Sequence, residues 1–151
     1  MSHPDPGPDA AQADLARRCA EVMLASDRAS REVGMRLTEV GPGTASVAMT
    51  VTEAMSNGHG TCHGGYLFML ADTAFAVACN SFGEVSVAQA CDIVFVVPAR
   101  TGEELLARAS LRTGFGRNGI YDVTVSRDHH EVVAEFRGRS RSLGTRLLDE
   151  G

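Results

Sequence analysis

Apolar positions first recur with a helical period. Between Ala10 and Ser26, Leu15, Cys19, Val22 and Met23 fall at i, i+4, i+7 and i+8, with Arg17, Arg18 and Glu21 off the stripe. This spacing predicts an amphipathic helix, placed over 10–29. Residues 1–9, rich in proline, aspartate and glycine, are expected to form a disordered tail. The period then changes to two. Val33, Met35 and Leu37 alternate with Gly34, Arg36 and Thr38, and Ala45, Val47, Met49 and Val51 alternate with small or polar residues. Gly41-Pro42-Gly43 between the two runs marks a turn, so an antiparallel hairpin is predicted.

A glycine-rich stretch, Met55 to Gly65, opens into Tyr66-Leu67-Phe68-Met69-Leu70-Ala71-Asp72-Thr73-Ala74-Phe75-Ala76-Val77-Ala78-Cys79. Alanine, leucine and methionine predict a helix over about 64–81. It is apolar on all sides and must be enclosed by protein. Four strand-like runs follow, near 85–97, 104–112, 119–127 and 131–141. The turns between them are expected at Thr101-Gly102, Asn118-Gly119 and Asp128-His129-His130. Successive strands on short turns make an antiparallel sheet, and the only element available to cover its apolar face is the central helix. The predicted fold is α+β, a sheet wrapped around one helix with an extra helix at the N-terminus. One domain over 30–145 and a C-terminal tail over 146–151 complete the expected organisation.

Composition narrows the function. The chain has 151 residues, 44% hydrophobic and 22% charged, as expected of one globular domain. The net charge of −5 argues against a nucleic-acid partner. No apolar run approaches membrane-spanning length, and no signal segment opens the sequence, so a cytoplasmic location is expected. The four cysteines form no C-x-x-C pair and read as reduced thiols.

Asp72 carries the only charge on the apolar helix. Burying an unpaired carboxylate is costly, so it either braces backbone amides or does chemistry. His63-Gly64-Gly65 stands where that helix begins, and its free amides suit a carbonyl acquiring negative charge. A backbone donor and a carboxylate together suggest acyl transfer or hydrolysis. Gly65 and Asp72 are seven residues apart, about 10 Å along a helix, too far for one carbonyl to touch both. A second, antiparallel copy of the helix removes the difficulty. A two-fold homodimer with composite sites is therefore expected.

The run Asn57-Gly58-x-x-x-Cys62-His63-Gly64-Gly65-x-Leu67-Phe68-x-Leu70-Ala71-Asp72-Thr73-Ala74-Phe75-Ala76 closely resembles the hotdog-fold acyl-CoA thioesterases of the phenylacetate-degradation (PaaI) type. The likeness extends through Ala78-Cys79-Asn80-Ser81, the Val87–Pro98 strand, Gly119-x-Tyr121-Asp122-Val123 and Phe136-Arg137-Gly138, about residues 30–145. The resemblance implies hydrolysis of a phenylacetyl-type or hydroxylated aromatic CoA thioester to free acid and CoA. Asp72 would be general base for water or a nucleophile forming an anhydride, and the Gly64 amide, with Gly65 beside it, would polarise the carbonyl. Asn57 and His63 would position water, carboxylate or loop. It also implies dimers paired into tetramers, an acyl-CoA substrate and no separate cofactor. Asp92, on the strand after the helix, departs from the family pattern, and Gln89 is either a neighbour of the site or an ordinary polar strand residue.

Other constellations give weaker readings. His59, Cys62 and His63 lie in one short loop without a convincing fourth ligand, so no metal is expected. Cys62 beside His63 invites a thiol nucleophile, although sequence neighbours rarely face one another in space. The glycines of 114–119 lack a βαβ setting and fit a hairpin better than a nucleotide cradle. Arg137, Arg139 and Arg141 share one strand face. That face is either a solvated surface or, under the thioesterase reading, Arg139 and Arg141 join Arg117 as candidates to dock CoA phosphates. A hotdog hydratase or dehydratase, and a non-catalytic acyl-CoA-binding module, are the alternatives that the sequence leaves open.

Overall fold

The computed structural model describes residues 7–128 and 130–149. Two helices, α1 (Gly7–Ser26) and α2 (Arg28–Glu32), precede a hairpin of β1 (Arg36–Gly41) and β2 (Thr44–Thr50). The central helix α3 (Gly64–Cys79) follows, then β3 (Glu84–Phe95), β4 (Glu104–Phe115), β5 (Asn118–Arg127) and β6 (Glu131–Arg146). The strands form one antiparallel sheet in the order β1-β2-β4-β5-β6-β3. This sheet wraps α3, which touches all six strands. An apolar helix needs cover, and the curved sheet supplies it over most of the surface of α3.

The core gathers on the concave side. Leu70, Ala74, Phe75 and Val77 of α3 meet Met49 of β2, Leu105 and Ala107 of β4, Val123 and Val125 of β5, and Phe136 of β6, all buried. Phe75 stands edge-on to Tyr121 with ring centroids 5.5 Å apart. The helix approaches β6 so closely that a Cβ on Gly138 would lie 2.8 Å from three Phe75 ring carbons.

Several boundaries differ from the sequence expectations. The expected tail 1–9 overlaps α1, which begins at Gly7; Pro8 needs no amide partner in a first turn, and Asp9 complements the positive helix end. Residues 1–6 lie outside the described residues. The buried side of α1 is Ala16, Cys19 and Ala20, and Val22 is 46% exposed, because small residues let α1 lie close against its neighbours. The helix placed over 10–29 stops at Ser26. Asp27 caps the separate α2, its carboxylate accepting from the Ser30 amide at 2.9 Å. The first strand begins at Arg36 rather than Val33, after Gly34 at φ +76°.

The turn expected at Asn118-Gly119 falls instead at Gly116-Arg117, since Gly116 takes the left-handed φ of +57° and Asn118 already pairs with Phe115. Gly114 to Gly119 thus form the expected hairpin. The expected C-terminal tail is partly ordered: β6 runs to Arg146, and the Leu147 amide donates to the Gly83 carbonyl at 2.8 Å. Asp128 and His130, at positive φ, make the last turn. His129 lies outside the described residues.

The Gly138–Phe75 contact sets how deeply α3 sits in the sheet. Gly138→Ala is expected to lower unfolding stability by about 1–3 kcal/mol through overpacking, read from urea denaturation midpoints.

Candidate active site

A tightly tied loop delivers the head of α3. The His63 amide donates to the Met55 carbonyl and the Cys62 amide to the Ala99 carbonyl, both at 2.7 Å. Asn57 organises the loop from within: its Oδ1 accepts from the His59 amide at 2.9 Å and from the Thr61 amide and hydroxyl, each at 3.2 Å. These donors fix which end of the side chain is oxygen, and the Asn57 NH2 is left without a partner among the described residues.

His63 is the N-cap of α3, its Nδ1 accepting from the Gly65 amide at 2.9 Å. The ring nitrogen that accepts is unprotonated. Of the two glycine amides expected to serve a carbonyl, the one on Gly65 is therefore engaged within its own chain. The Gly64 amide has no partner among the described residues. Asn57, Cys62, Gly64, Leu67 and Phe95 line a cleft of about 370 Å³ closed by Val96, Val97 and Pro98. The Phe95 ring, 54% exposed, lies against Gly64, where a Cβ would come within 2.8 Å of its Cζ. A side chain at 64 would push that ring aside.

Asp72 sits two turns further along α3 and is half-buried rather than sealed. Contrary to full enclosure, α3 keeps a flank partly open, where Gly65 is exposed and Phe68, Met69, Asp72 and Ala76 are only partly covered. The carboxylate has no hydrogen-bond partner among the described residues. Burial pushes its pKa up, and the negative Asp27 nearby pushes the same way. Bracing of backbone amides, the alternative role for this residue, finds no bond to support it.

The sequence reading missed the tether beside it. The Ser30 hydroxyl donates to Asp27 at 2.6 Å and pairs with the Thr73 hydroxyl at 3.1 Å, locking α2 against α3 next to Asp72. Aspartate three residues before a serine was the available signal, a capping pattern at the end of the stretch placed in the first helix.

The remaining candidates are dispersed. Burial raises the Cys62 thiol to about 11, so little of it is thiolate near neutrality, which disfavours a thiol nucleophile. Among the described residues no group of three or more His, Cys, Asp or Glu side chains can hold one metal ion. Gln89 is an exposed residue at an irregularity of β3. Arg137, Arg139 and Arg141 lie on the sheet face away from α3, across from Asp122, Ile120 and Asn118. Asp122 holds Arg137 with two bonds, of 2.7 and 3.1 Å. Asp92 sits in register with Arg137 on that same outer face. Arg117, in the β4–β5 turn, lies over Gly144 and lines a different cavity, at the other end of α3. No arginine candidate borders the Gly64 cleft within one protomer.

A helix head with one free amide, and a bare carboxylate further along the same helix, is a layout for acyl chemistry, and comparison gives it a family. The pattern of the Thioesterase superfamily matches residues 59–134, from the loop through α3 into β6, and the chain belongs to that superfamily. It is 43% identical over 131 residues to the acyl-coenzyme A thioesterase PaaI of Escherichia coli strain K12, covering 87% of this chain and 94% of that one. The structure of the E. coli PaaI protein from the phenylacetic acid degradation operon superimposes with a TM-score of 0.87 at 41% identity, over 89% of this chain and 98% of that one. A mutant of the phenylacetic acid degradation protein PaaI from Thermus thermophilus aligns with a TM-score of 0.75 at 35% identity, over 78% of this chain and 100% of that one. The wrapped sheet is thus the hotdog fold, and the chain is a homologue of the PaaI thioesterases.

The environment of Asp72 has a thermodynamic signature. The folded state holds its proton more tightly than the unfolded chain does, so its ionisation costs stability as pH rises from the ordinary carboxylate range through the raised value. Asp72→Asn is expected to melt at a higher temperature than the wild type at neutral pH. The difference should vanish under acid conditions, where both side chains are neutral.

Proposed function

We propose that this protein hydrolyses an acyl-CoA thioester, with an aromatic acyl group of the phenylacetyl or hydroxyphenylacetyl type, to free acid and CoA. One observation carries the reading. The Gly64 amide and the Asp72 carboxylate, both without a partner among the described residues, stand on one helix, about 12 Å apart along its axis. The Gly64 amide receives the thioester oxygen and the negative charge that develops there. Asp72 of the other subunit takes a proton from water as the water oxygen attacks the carbonyl carbon. The C–S bond breaks, and the proton passes to the departing thiolate. Direct attack by the carboxylate, followed by hydrolysis of an anhydride, uses the same placement. Asn57 and His63 hold the loop, and the free Asn57 NH2 is available to water or substrate.

Such a site requires two copies, and β3 supports that requirement. It is an edge strand with Val87, Val94, Phe95 and Val96 exposed along and just beyond it, a poor edge to leave in water. Two copies joined there run their α3 helices antiparallel, and two such dimers form the tetramer. The CoA phosphates dock on Arg117, Arg139 or Arg141, whose guanidinium groups have no ion-pair partner among the described residues. No cofactor takes part, and the cytoplasm is the proposed compartment.

A thiol-release screen over aromatic and aliphatic CoA esters tests the activity. Asp72→Ala is expected to cut turnover by about 10²–10⁴-fold with secondary structure and assembly kept. Unchanged turnover in that variant would remove Asp72 from the chemistry.

A further inference from the structure

Beside Asp72 stands a second carboxylate, that of Asp27. It caps α2, its Oδ1 accepting from the Ser30 amide at 2.9 Å and its Oδ2 from the Ser30 hydroxyl at 2.6 Å. Asparagine and serine cap a helix about as well as aspartate, so capping by itself does not call for the charge. Nor is the charge neutralised. Asp27 has no ion-pair partner among the described residues, although Arg28 and Arg31 are close to it in sequence. Arg31 turns instead to the Ala25 carbonyl, to which it donates at 2.7 Å.

The place of this charge against α3 is fixed. Ser30 is only 4% exposed, and its hydroxyl lies 3.1 Å from that of Thr73. The single Ser30 hydroxyl proton goes to Asp27, so Thr73 is the donor of the second bond, sharing its proton with the Met69 carbonyl at 2.9 Å. Thr73 follows Asp72 in the chain. Two hydroxyls therefore link the Asp27 carboxylate to the turn of α3 that carries Asp72. From the other side, the Met35 amide donates to the Ser30 carbonyl at 3.0 Å and ties α2 to the approach to β1. Two like charges are thus kept close on a half-covered flank, where solvent screens them less than on an open surface. The other ionisable groups acting there are the thiols of Cys79, further along α3, and Cys91, on β3. Burial pushes both up, Cys79 to about 12, so neither is charged near neutrality. Among the described residues no cationic side chain counters Asp27 at Asp72.

We propose that Asp27 is a positioning residue for the reaction: Ser30 and Thr73 hold its negative charge beside α3, and that charge makes Asp72 a stronger base toward water. The proposal rests on the thioesterase reading and adds to it what sets the strength of the base. A carboxylate facing a like charge holds its proton more tightly and, once ionised, takes one from water more readily. General-base catalysis gains from this as long as the group is still ionised at the working pH.

The test follows kcat/KM for phenylacetyl-CoA by thiol release against pH, in the wild type, Asp27→Asn and Asp27→Ala. Asparagine keeps the cap and removes the charge, whereas alanine removes both. The rate rises with pH as Asp72 ionises. Without the charge at 27 that rise should move to lower pH by about half a pH unit, equally in the two variants. The plateau should fall by about twofold, as expected of a weaker base. A rise that stays in place in Asp27→Asn, or that moves only in Asp27→Ala, overturns the proposal, since the residue then serves α2 alone. A second measurement needs no turnover. The gain in melting temperature from Asp72→Asn at neutral pH should be smaller in the Asp27→Asn background than in the wild type, and equal gains in both backgrounds likewise overturn the proposal. If the wild type releases thiol from no ester, the thioesterase reading itself fails. Thiol release with an unmoved pH profile removes only the role of Asp27.

Discussion

A helix with no polar face has to be enclosed, and here that requirement organises everything else. Sixteen residues of α3 carry a single charge, so the sheet must curl until all six strands reach the helix. Small residues allow the approach. Gly138 lets Phe75 lie against β6, and the alanines of α3 bring backbone near backbone. The enclosure stops short on the flank bearing Asp72, which is left half-covered and without a bonding partner among the described residues. A half-covered carboxylate of this kind costs stability, and such local costs are typical of functional sites.

The two ends of α3 are prepared differently. At the head, a loop tied by Asn57 and capped by His63 uses one glycine amide internally and leaves the next one free. At the tail, Tyr121 and Ser140 come from strands whose neighbouring glycine withdraws to make room. A backbone amide on a helix end is rigid and poised for charge.

Much of this was legible in the sequence because periodicity speaks for packing. The two-residue alternation marked the strands, and the unbroken apolar run with Asp72 inside it marked both the central helix and its candidate reactive group. His63 before two glycines pointed to the helix head. What escaped was decided by local geometry or by long-range contact. The tight turn went to Gly116-Arg117 because Gly116 adopts the positive φ, whereas Gly119 is glycine for the sake of the Tyr121 ring. Short α2 has no periodicity to show and is held by hydroxyl contacts to Thr73, 43 residues away from Ser30. Nothing in the spacing told which of Gly64 and Gly65 would be taken by the imidazole, since a ring folding back two residues leaves no mark in composition.

The sheet's two borders are unlike. β1 is short, irregular between Leu37 and Glu39, and flanked by Arg36 and Glu39, features that discourage another strand from adding to it. β3 is twice as long and bare along its apolar positions. If two copies join bare border to bare border, as proposed, only guarded ones are left outside and lateral growth limits itself. A molecule built this way would resist running on into fibrils without needing a separate device to prevent it.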